Sequence, residues 1–493
     1  MESAQLKKEM MSLWKKTFND SDEYISLVFD GYFNPEYIEY EERDGHLVAA
    51  LLGIPYRFVR SHTLQRKSRF QRNINDNDSR TCAGSKNVSI REDIREDSSK
   101  TGDASLSGLY LCGLATKPEY RRQGIMTKLV DKINKKASIN KFDFTFLIPA
   151  SSELSDYYLG IGYVDCFKRS ANRYSSSHNF FLDDDVFRNE NICPLICYYN
   201  GNSNLKIFVE EIKEIDNGLL NDIDNFLDEI CNNDSYFDIL RNIKDVDLIL
   251  RENLISKGRV VVVRNCDNNK ITAIAIFNIN KNDEILIPHL YGDDNFSKRL
   301  LLQYIKQQYP NFSILRYKYP EEEKRKLVWS PFNFNYKTSE NNRSVEWNEE
   351  DIYEVGSHPE NYGMALLLRA SEILKFTCND KNDFKFSILV KQPFSDFEYI
   401  YIKSERGVQT MLVVGETPDQ YKVQKVKQEL PINEHSGLPS DESEVFEIAK
   451  KGIMRLSMPQ LAEILWRNRQ VNDLIGEAFF LPRVPINMSY LLD

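Results

Sequence analysis

Blocks of apolar residues at two different spacings run along the first part of this 493-residue chain and predict an α/β fold. Residues 6–34 carry apolar side chains at helical spacing, with a polar break at 19–22, and this pattern predicts two helices. Residues 37–42 and 46–59 then predict two strands. The Asp44-Gly45 pair between them favours a tight hairpin.

Two more strands and a helix of this first unit are predicted after a long polar stretch. Residues 61–106 are rich in Arg, Lys, Asn, Asp and Ser, and such a segment buries too little apolar surface to order itself, so we expect a mobile insertion. The apolar run 109–115 predicts a buried strand that ends before Pro118, which has no N–H for a sheet ladder. Apolar positions from Met126 to Ala137 predict an amphipathic helix, and 142–148 predicts another strand.

The loop between that first strand and its helix carries the candidate chemistry. Unpaired N–H groups at a helix N-terminus bind phosphate, and a glycine lets the phosphate approach closely. The segment lacks the Gly-Lys-Ser/Thr of a P-loop and the Gly-x-Gly-x-x-Gly of a dinucleotide fold. We therefore predict a pyrophosphate-binding loop formed by Arg121, Arg122, Gln123, Gly124, Ile125 and Met126.

The order of predicted elements repeats later in the chain, without the same loop. Helical segments over 217–256 precede predicted strands at 259–264, 271–279 and 284–291, a helix at 296–308 and a strand at 313–319. At the position of the pyrophosphate loop stand Asp293 and Asp294, whose charges would repel a phosphate. This pattern predicts a degenerate copy of the first unit.

The last part of the chain predicts an α+β unit. We expect a helix from Tyr362, then strands at 384–390, 398–404 and 408–414. A final helix has Ser457 as its N-cap. Its apolar face is interpreted as core rather than as a lipid-carrying surface.

Composition narrows the classes of partner. A net charge of -10 argues against nucleic acid as the main partner and favours cationic amines. No apolar run approaches the roughly 20 residues that span a bilayer, and the first residues lack a signal peptide's apolar centre, so we expect a cytoplasmic protein with no membrane partner. The eight cysteines lack zinc-site spacing, and we expect free thiols and no metal.

Two motifs carry a resemblance to a known family. Arg121 and Gly124 match the acetyl-CoA motif Arg/Gln-x-x-Gly-x-Gly/Ala of the GNAT N-acetyltransferases, with Met126 at the final position. The segment from Tyr158 to Tyr163 resembles the family's Tyr-x-x-x-Gly-Tyr element. With the repeated unit and the α+β ending, the chain resembles the Eis (enhanced intracellular survival) type of GNAT enzyme.

The resemblance implies a domain layout. It places a catalytic GNAT domain at 1–180, a degenerate GNAT-like domain at 181–351 and a sterol-carrier-protein-like α+β domain at 352–493. The implied fold class is α/β (α+β), with tandem GNAT folds built on mixed central sheets. The family's members assemble as hexamers, so a homo-oligomer is expected.

The resemblance also implies an activity and roles for residues. Acetyl-CoA would be the co-substrate, and a primary amine of a small polyamine, an aminoglycoside-like compound or a lysine or peptide would attack the thioester. Tyr158 would be the general acid and Asp493, through the chain's carboxylate, the base. Asp20 would lie near the substrate amine, although a role as a helix cap is an equal alternative. Further cofactor contacts are expected from Leu114, Ala115, Thr116 and Ser152 beside the loop residues 121–126.

Two other functions stay open on the sequence alone. One is a longer-chain N-acyltransferase with the layout of the N-myristoyltransferases. The other is a non-catalytic acyl-CoA or lipid-binding protein. Tyr158 has its own structural alternative, a core tyrosine.

Overall fold

A computed structural model describes the chain in segments. These are residues 2–60, 105–176, 180, 195–200, 203–230, 237–240, 242–293, 295–320, 360–374, 384–391, 393–394, 397–405, 408–415, 453–467 and 486–487. The predicted insertion, apart from residues 105 and 106, lies outside these segments, as does Asp493.

The N-terminal region folds into two helices and a hairpin, as the sequence predicts. Helix α1 (Ser3–Phe18) and helix α2 (Asp22–Tyr32) bury their apolar faces against the sheet. Strands β1 (Ile38–Arg43) and β2 (His46–Arg60) pair antiparallel. Asp44 and Gly45 both have positive φ, 52° and 76°, which is the backbone of the tight turn that matches strand twist.

The first unit continues with alternating strands and helices. They are β3 (Ser105–Thr116), α3 (Ile125–Ile139), β4 (Phe144–Leu147), α4 (Ser152–Gly160) and β5 (Val164–Ser175). β3 pairs antiparallel with β2 and parallel with β4, so the α3 crossover returns the chain to the same sheet. The predictions for this unit are confirmed in order and type.

The second unit repeats this arrangement. Its elements are β6 (Leu195–Asn200), β7 (Ser203–Ile212), α5 (Asn217–Ile230), β8 (Phe237–Leu240), α6 (Ile243–Ile255), β9 (Arg259–Asn265), β10 (Ile271–Ile279), β11 (Ile285–Gly292), α7 (Asn295–Gln308) and β12 (Ile314–Pro320). β11 and β12 are parallel, like β3 and β4. The prediction of helix across 217–256 missed β8, which extends the sheet beside β2.

The predicted helix from Tyr362 is wrong. Residues Glu360–Leu367 form strand β13, which pairs antiparallel with β4 on one side and with β5 on the other. Its apolar residues are buried on both faces, since Met364, Ala365 and Leu367 are all at most 1% exposed. Such a run has no alternation to mark it as a strand.

The remaining elements form a second, smaller sheet of four strands, two helices and a last strand that pairs with β8 of the large sheet. They are α8 (Ala370–Leu374), β14 (Phe384–Lys391), β15 (Phe397–Glu405), β16 (Val408–Gly415), β17 (Ile453–Ser457), α9 (Met458–Arg467) and β18 (Ile486–Asn487). Strands β16, β15, β14 and β17 lie in that order. Ser457 caps α9 as predicted: its Oγ accepts from the Gln460 N–H at 3.3 Å.

The large sheet joins all three parts of the chain. It has fourteen described strands in the order β18-β8-β2-β3-β4-β13-β5-β12-β11-β10-β9-β7-β6, with β1 paired to β2. Helix α9 packs on the first unit, where Trp466 meets the Phe144 ring edge-on at 5.9 Å between centroids. The first unit's core is therefore completed by residues from the end of the chain.

Asp143, just before β4, makes the stability of this junction depend on pH. Its Oδ2 accepts from the Ser107 N–H at 2.7 Å, and its Oδ1 lies 3.4 Å from Arg369 Nη1. Burial raises the pKa of Asp143 to about 6. Because this value exceeds the ordinary one, the folded state binds the proton more tightly than the unfolded chain, and the resulting stabilisation, complete below about pH 4, is lost as the pH rises through 6.

Asp143→Asn tests this directly. Wild type should lose up to about 3 kcal/mol of unfolding free energy relative to the variant between pH 4 and 7, because asparagine does not titrate. Urea denaturation of both proteins across this range measures the difference. A difference that stays constant with pH would contradict the assignment.

Candidate active site

A gap opens in the sheet between β3 and β4. The two strands pair only from Gly108 opposite Phe144 to Tyr110 opposite Phe146. β4 ends at Leu147, whereas β3 continues to Thr116. Within the described residues, 111–116 therefore have no strand beside them on this side, and the gap lies at the carboxyl ends of two parallel strands, where α/β sheets bind ligands.

A β-bulge shapes β3 along this gap. Ala50 pairs with Ala115 and Leu52 with Cys112, so Gly113 and Leu114 together lie opposite Leu51. Gly113 has φ 60°, and a Cβ there would come within 2.3 Å of the Trp14 ring. Only glycine fits, and the bulge leaves one extra residue of β3 outside the regular ladder with β2.

The loop after β3 forms a concave set of backbone N–H groups. A short 3-10 turn, Pro118–Tyr120, leads into it. Arg122 and Gly124 have left-handed backbone, with φ 60° and 72°, and Gly124 is the N-cap of α3. Alternation of this kind turns successive N–H groups toward one point and binds anions.

These N–H groups are available to a ligand. In the part of the chain that the structure describes, the N–H groups of Ile125, Met126 and Thr127 have no acceptor, and the first bond of α3 runs from the Lys128 N–H to the Gly124 carbonyl at 3.2 Å. A Cβ on Gly124 would meet no atom within 4 Å, so space is open there. The residues therefore fit a pyrophosphate.

Two side chains of the loop bind the loop itself. Arg121 Nε donates to the Thr116 carbonyl at 3.0 Å, and Gln123 Nε2 donates to the Glu119 carbonyl at 3.2 Å. Ile125 is buried and Met126 half-buried in the apolar cluster that packs on α3. The candidate site therefore offers a ligand mainly backbone N–H groups.

Helix α4 brings Tyr158 into the apolar cluster that also contains the α3 residues. Ser151 caps the helix, its Oγ accepting from the Leu154 N–H at 3.4 Å, and Ser152 is the exposed first residue. Tyr158 is 6% exposed, and burial raises its pKa above the ordinary value. Its phenol therefore stays protonated at neutral and mildly alkaline pH, as a general acid requires.

Three neighbouring tyrosines have different hydrogen bonds. The Tyr163 hydroxyl lies 3.0 Å from Thr145 Oγ1 and donates to Asn134 Oδ1 at 3.0 Å, in a buried network. The Tyr157 hydroxyl lies 3.0 Å from Thr127 Oγ1. Among the described residues, the Tyr158 hydroxyl has no hydrogen-bond partner, which leaves it for a ligand.

Asp20 is not the cap of α2. Ser21 is, since its Oγ accepts from the Tyr24 N–H at 3.1 Å. Asp20 Oδ2 instead accepts from Trp14 Nε1 at 2.6 Å, and the Trp14 ring lies over Gly113 of the bulge. Asp20 is thus linked through one indole to the strand that borders the gap.

The second unit adds groups that the sequence pattern did not reveal. The Tyr32 and Tyr56 hydroxyls both donate to Asp245 Oδ1, the latter at 3.1 Å, so the C-terminal end of α2 lies beside the start of α6. Burial raises the pKa of Tyr24, and the charge of Glu252 raises it further. Asp245 and Glu252 are seven residues apart, which places both on one face of α6. This spacing is the one feature of the sequence from which their common position could have been predicted.

Helices α2 and α6 therefore lie antiparallel, with Tyr24 and Glu252 at the other end of the pair. Cys112 and Asp20 also raise the pKa of Tyr24, which places it near the bulge. Acidic and tyrosine side chains from both units therefore lie close together where α2 meets α6.

The second unit lacks the loop. Eight residues, 117–124, separate β3 from α3, whereas only Asp293 and Asp294 separate β11 from α7. Asp294 lies outside the described residues; Asp293 Oδ1 accepts from Ser297 Oγ at 2.9 Å. So short a connection has no room for the concave loop of the first unit.

Within the described segments, no group of three or more His, Cys, Asp or Glu side chains could hold a metal ion. None of the described helices has both the length and the apolar character needed to cross a bilayer. Asp493 cannot be placed, since it lies outside those segments.

Several known proteins resemble this chain. Residues 97–164 match the acetyltransferase (GNAT) domain. A GCN5-related N-acetyltransferase from Anabaena variabilis shares 11% identity, with 98% of this chain and 97% of that chain covered and a TM-score of 0.57. Eis1 from Mycobacterium abscessus shares 9% identity, with 99% of this chain and 98% of that chain covered and a TM-score of 0.53. A protein of unknown function from Enterococcus faecalis, described as a probable N-acyltransferase, shares 14% identity, with 83% of each chain covered and a TM-score of 0.52.

No protein with a curated function matches the sequence. At such low identities the solved structures establish the fold alone, which is a mixed α/β fold of the GNAT kind. The matched stretch extends through β3, the pyrophosphate loop, α3, β4 and α4 to the first residue of β5. The chain therefore contains a GNAT acetyltransferase domain and is an enzyme of the acyltransferase class.

Proposed function

We propose that this enzyme transfers an acetyl group from acetyl-CoA to a primary amine, at the gap between β3 and β4. The observation that carries the proposal is the placement of an anion-binding loop directly after the strand that borders the gap. A cofactor whose pyrophosphate lies on that loop can extend its thioester arm along β3.

Each step of the reaction has a candidate residue. Acetyl-CoA supplies the activated acyl group. The backbone at Leu114 and Ala115, in the part of β3 that borders the gap, would polarise the thioester oxygen. The amine nitrogen bonds to the acetyl carbon as the carbon–sulfur bond breaks, and Tyr158 gives its proton to the departing sulfur.

The base would be the chain's carboxylate at Asp493. Strand β18 is parallel to β8, and β8 is antiparallel to β2, so β18 points in the same direction as β3. Through Asp238 and Val59, Asn487 lies level with Ser105. β18 therefore points toward the end of the sheet at which the gap opens.

The acceptor would enter from the α1–α2 side. Asp20 is well suited to a cationic amine, because only its Oδ2 has a partner among the described residues. Glu252 adds negative charge nearby, and a net charge of -10 favours cations over the whole surface. These features support an amine rather than an anionic or neutral acceptor.

We further propose that the chain is of the Eis type. The second unit supports this, since it repeats the fold of the first without its loop. The small sheet packed with α9 is consistent with a sterol-carrier-like third domain.

Calorimetry of the full chain with acetyl-CoA and with myristoyl-CoA tests the proposal. We expect acetyl-CoA to bind and to release thiol when amines such as spermidine are added. Tighter binding and faster turnover of myristoyl-CoA would favour the longer-chain acyltransferase. Tight binding with no thiol release on any amine would favour a sensor.

Asp20→Asn should raise the KM for the amine about tenfold, because a charge-assisted hydrogen bond to an ammonium is lost. The Kd for acetyl-CoA should not change. Asp22→Asn is the matched control, since Asp22 lies two residues away, is exposed and, within the described segments, forms an ion pair only with Lys15 at 3.2 Å. Equal effects of both changes would contradict a direct role of Asp20.

Deletion of residues 491–493 should lower turnover without weakening acetyl-CoA binding, because only proton removal is affected. Asp493→Asn separates the two carboxylates. It should leave turnover unchanged if the main-chain carboxylate acts, and lower it if the side chain acts. Full activity of the truncated chain would rule out a C-terminal base.

A further inference from the structure

The pyrophosphate loop has a conformation that the backbone does not favour by itself. Arg122 has left-handed backbone without being glycine, and Gly124 is left-handed two residues later. Such a loop, if free, would sample other conformations and would have to be ordered by each ligand that binds. Contacts that hold it beforehand would raise affinity by removing that cost.

Among the described residues, three side-chain hydrogen bonds hold the loop, and two of them are donated by residues of the loop itself. They are the bonds from Arg121 to the Thr116 carbonyl and from Gln123 to the Glu119 carbonyl. The third comes from Arg43, the last residue of β1, 80 residues away in sequence. Arg43 Nη1 donates to Gln123 Oε1 at 3.2 Å, so the Gln123 amide is held from both ends.

Arg43 makes a second contact with the same loop. Its guanidinium carbon lies 5.6 Å from the centre of the Tyr120 ring, in a cation–π arrangement. Its Nε lies 3.7 Å from Glu41 Oε1, on the strand from which it projects. Arg43 pairs across the hairpin with His46, next to the tight Asp44-Gly45 turn, so its backbone is fixed.

We propose that Arg43 is a positioning residue that fixes the loop 117–124 in its anion-binding conformation before acetyl-CoA binds. The inference rests on the proposed function only for the identity of the ligand. Arg43 binds the side of the loop formed by Gln123 and Tyr120, so it acts through the loop rather than on phosphate. A planar guanidinium can stack on the Tyr120 ring and donate to Gln123 together, which a lysine ammonium cannot do in the same geometry.

Arg43→Gln tests the proposal by acetyl-CoA calorimetry. The Kd should rise about tenfold, the size expected for a lost hydrogen bond to a charged group, while kcat at saturating acetyl-CoA stays the same. Arg43→Lys keeps the positive charge and should lose nearly as much affinity. If the lysine variant binds like wild type, Arg43 acts by charge alone and the proposal is overturned.

Lys136→Gln is the matched control. Lys136 Nζ lies 3.1 Å from Glu39 Oε1, so it also joins β1 to α3, at the far end of the helix from the loop. The Kd of the Lys136→Gln variant for acetyl-CoA should equal that of wild type. An equal rise in both variants would assign the effect to hairpin–helix packing and overturn the proposal.

Two further measurements separate this proposal from the proposed function. Combining Arg43→Gln with Gln123→Leu should cost less than the sum of the two single changes, because both break the Arg43–Gln123 hydrogen bond. In unliganded protein, amide hydrogen exchange at Tyr120 and Arg121, whose N–H groups are hydrogen-bonded within the loop, should be faster in Arg43→Gln than in wild type. Unchanged exchange would overturn the positioning role even if acetyl-CoA binds, and faster exchange would support it even if another anion is the ligand.

Discussion

Gly124→Glu is expected to abolish acetyl-CoA binding while leaving the fold intact. The side chain would enter the open space above the loop, where a Cβ meets no atom within 4 Å. It would place a carboxylate where the N–H groups of α3 attract a pyrophosphate, and the two negative charges repel. Calorimetry should then detect no binding, and circular dichroism should match that of wild type.

Gly124→Ala separates charge from backbone strain. Both variants force a residue with a Cβ into φ 72°, at a cost of about 1–2 kcal/mol, but alanine adds no charge and little bulk. We expect alanine to weaken binding moderately and glutamate to eliminate it. If the Gly124→Glu variant binds acetyl-CoA as well as the Gly124→Ala variant does, the cofactor does not use this loop.

Tyr158→Phe is expected to lower kcat by about 100-fold or more, the range typical of a lost general acid. The Kd of acetyl-CoA should be nearly unchanged, because phenylalanine preserves the buried ring packing among Tyr157 and Tyr163. Stopped-time thiol release and calorimetry together measure the two quantities. A loss of affinity with unchanged kcat would assign Tyr158 to binding or packing instead.

Tyr157→Phe is the control for that result. Tyr157 is the preceding residue on α4, and its hydroxyl is already paired with Thr127 Oγ1 at 3.0 Å. Its removal should change kcat little.

Because burial raises the pKa of Tyr158, wild-type activity should not decline at mildly alkaline pH through loss of the Tyr158 phenol proton.

Periodicity in the sequence predicts much of this fold, and its failure at β13 has a physical cause. The run from Gly363 to Leu368 is apolar at every position but the first, and the strand is covered on both faces in the large sheet. A strand buried on both faces has no alternation, and its Met, Ala and Leu content also suits a helix. Only the tertiary pairing with β4 and β5 decides the conformation.

The candidate site divides in the same way. The loop 121–126 and Tyr158 are local motifs, so their elements could be read from one segment of sequence. Asp20, Glu252 and Arg43 come from other elements. Their connection to the site depends on side-chain interactions with Trp14, Tyr24 and Gln123, respectively. Side-chain contacts between distant segments leave no periodic signal in a single sequence.

The central claim is that the first unit moves an acetyl group from acetyl-CoA to an amine. Mass spectrometry of the amine, with thiol release followed in the same reaction, measures this transfer directly. The account predicts one acetylated amine for each thiol released by wild type, and neither product with Gly124→Glu. Thiol release without acetylated amine, or equal product from Gly124→Glu, would contradict it.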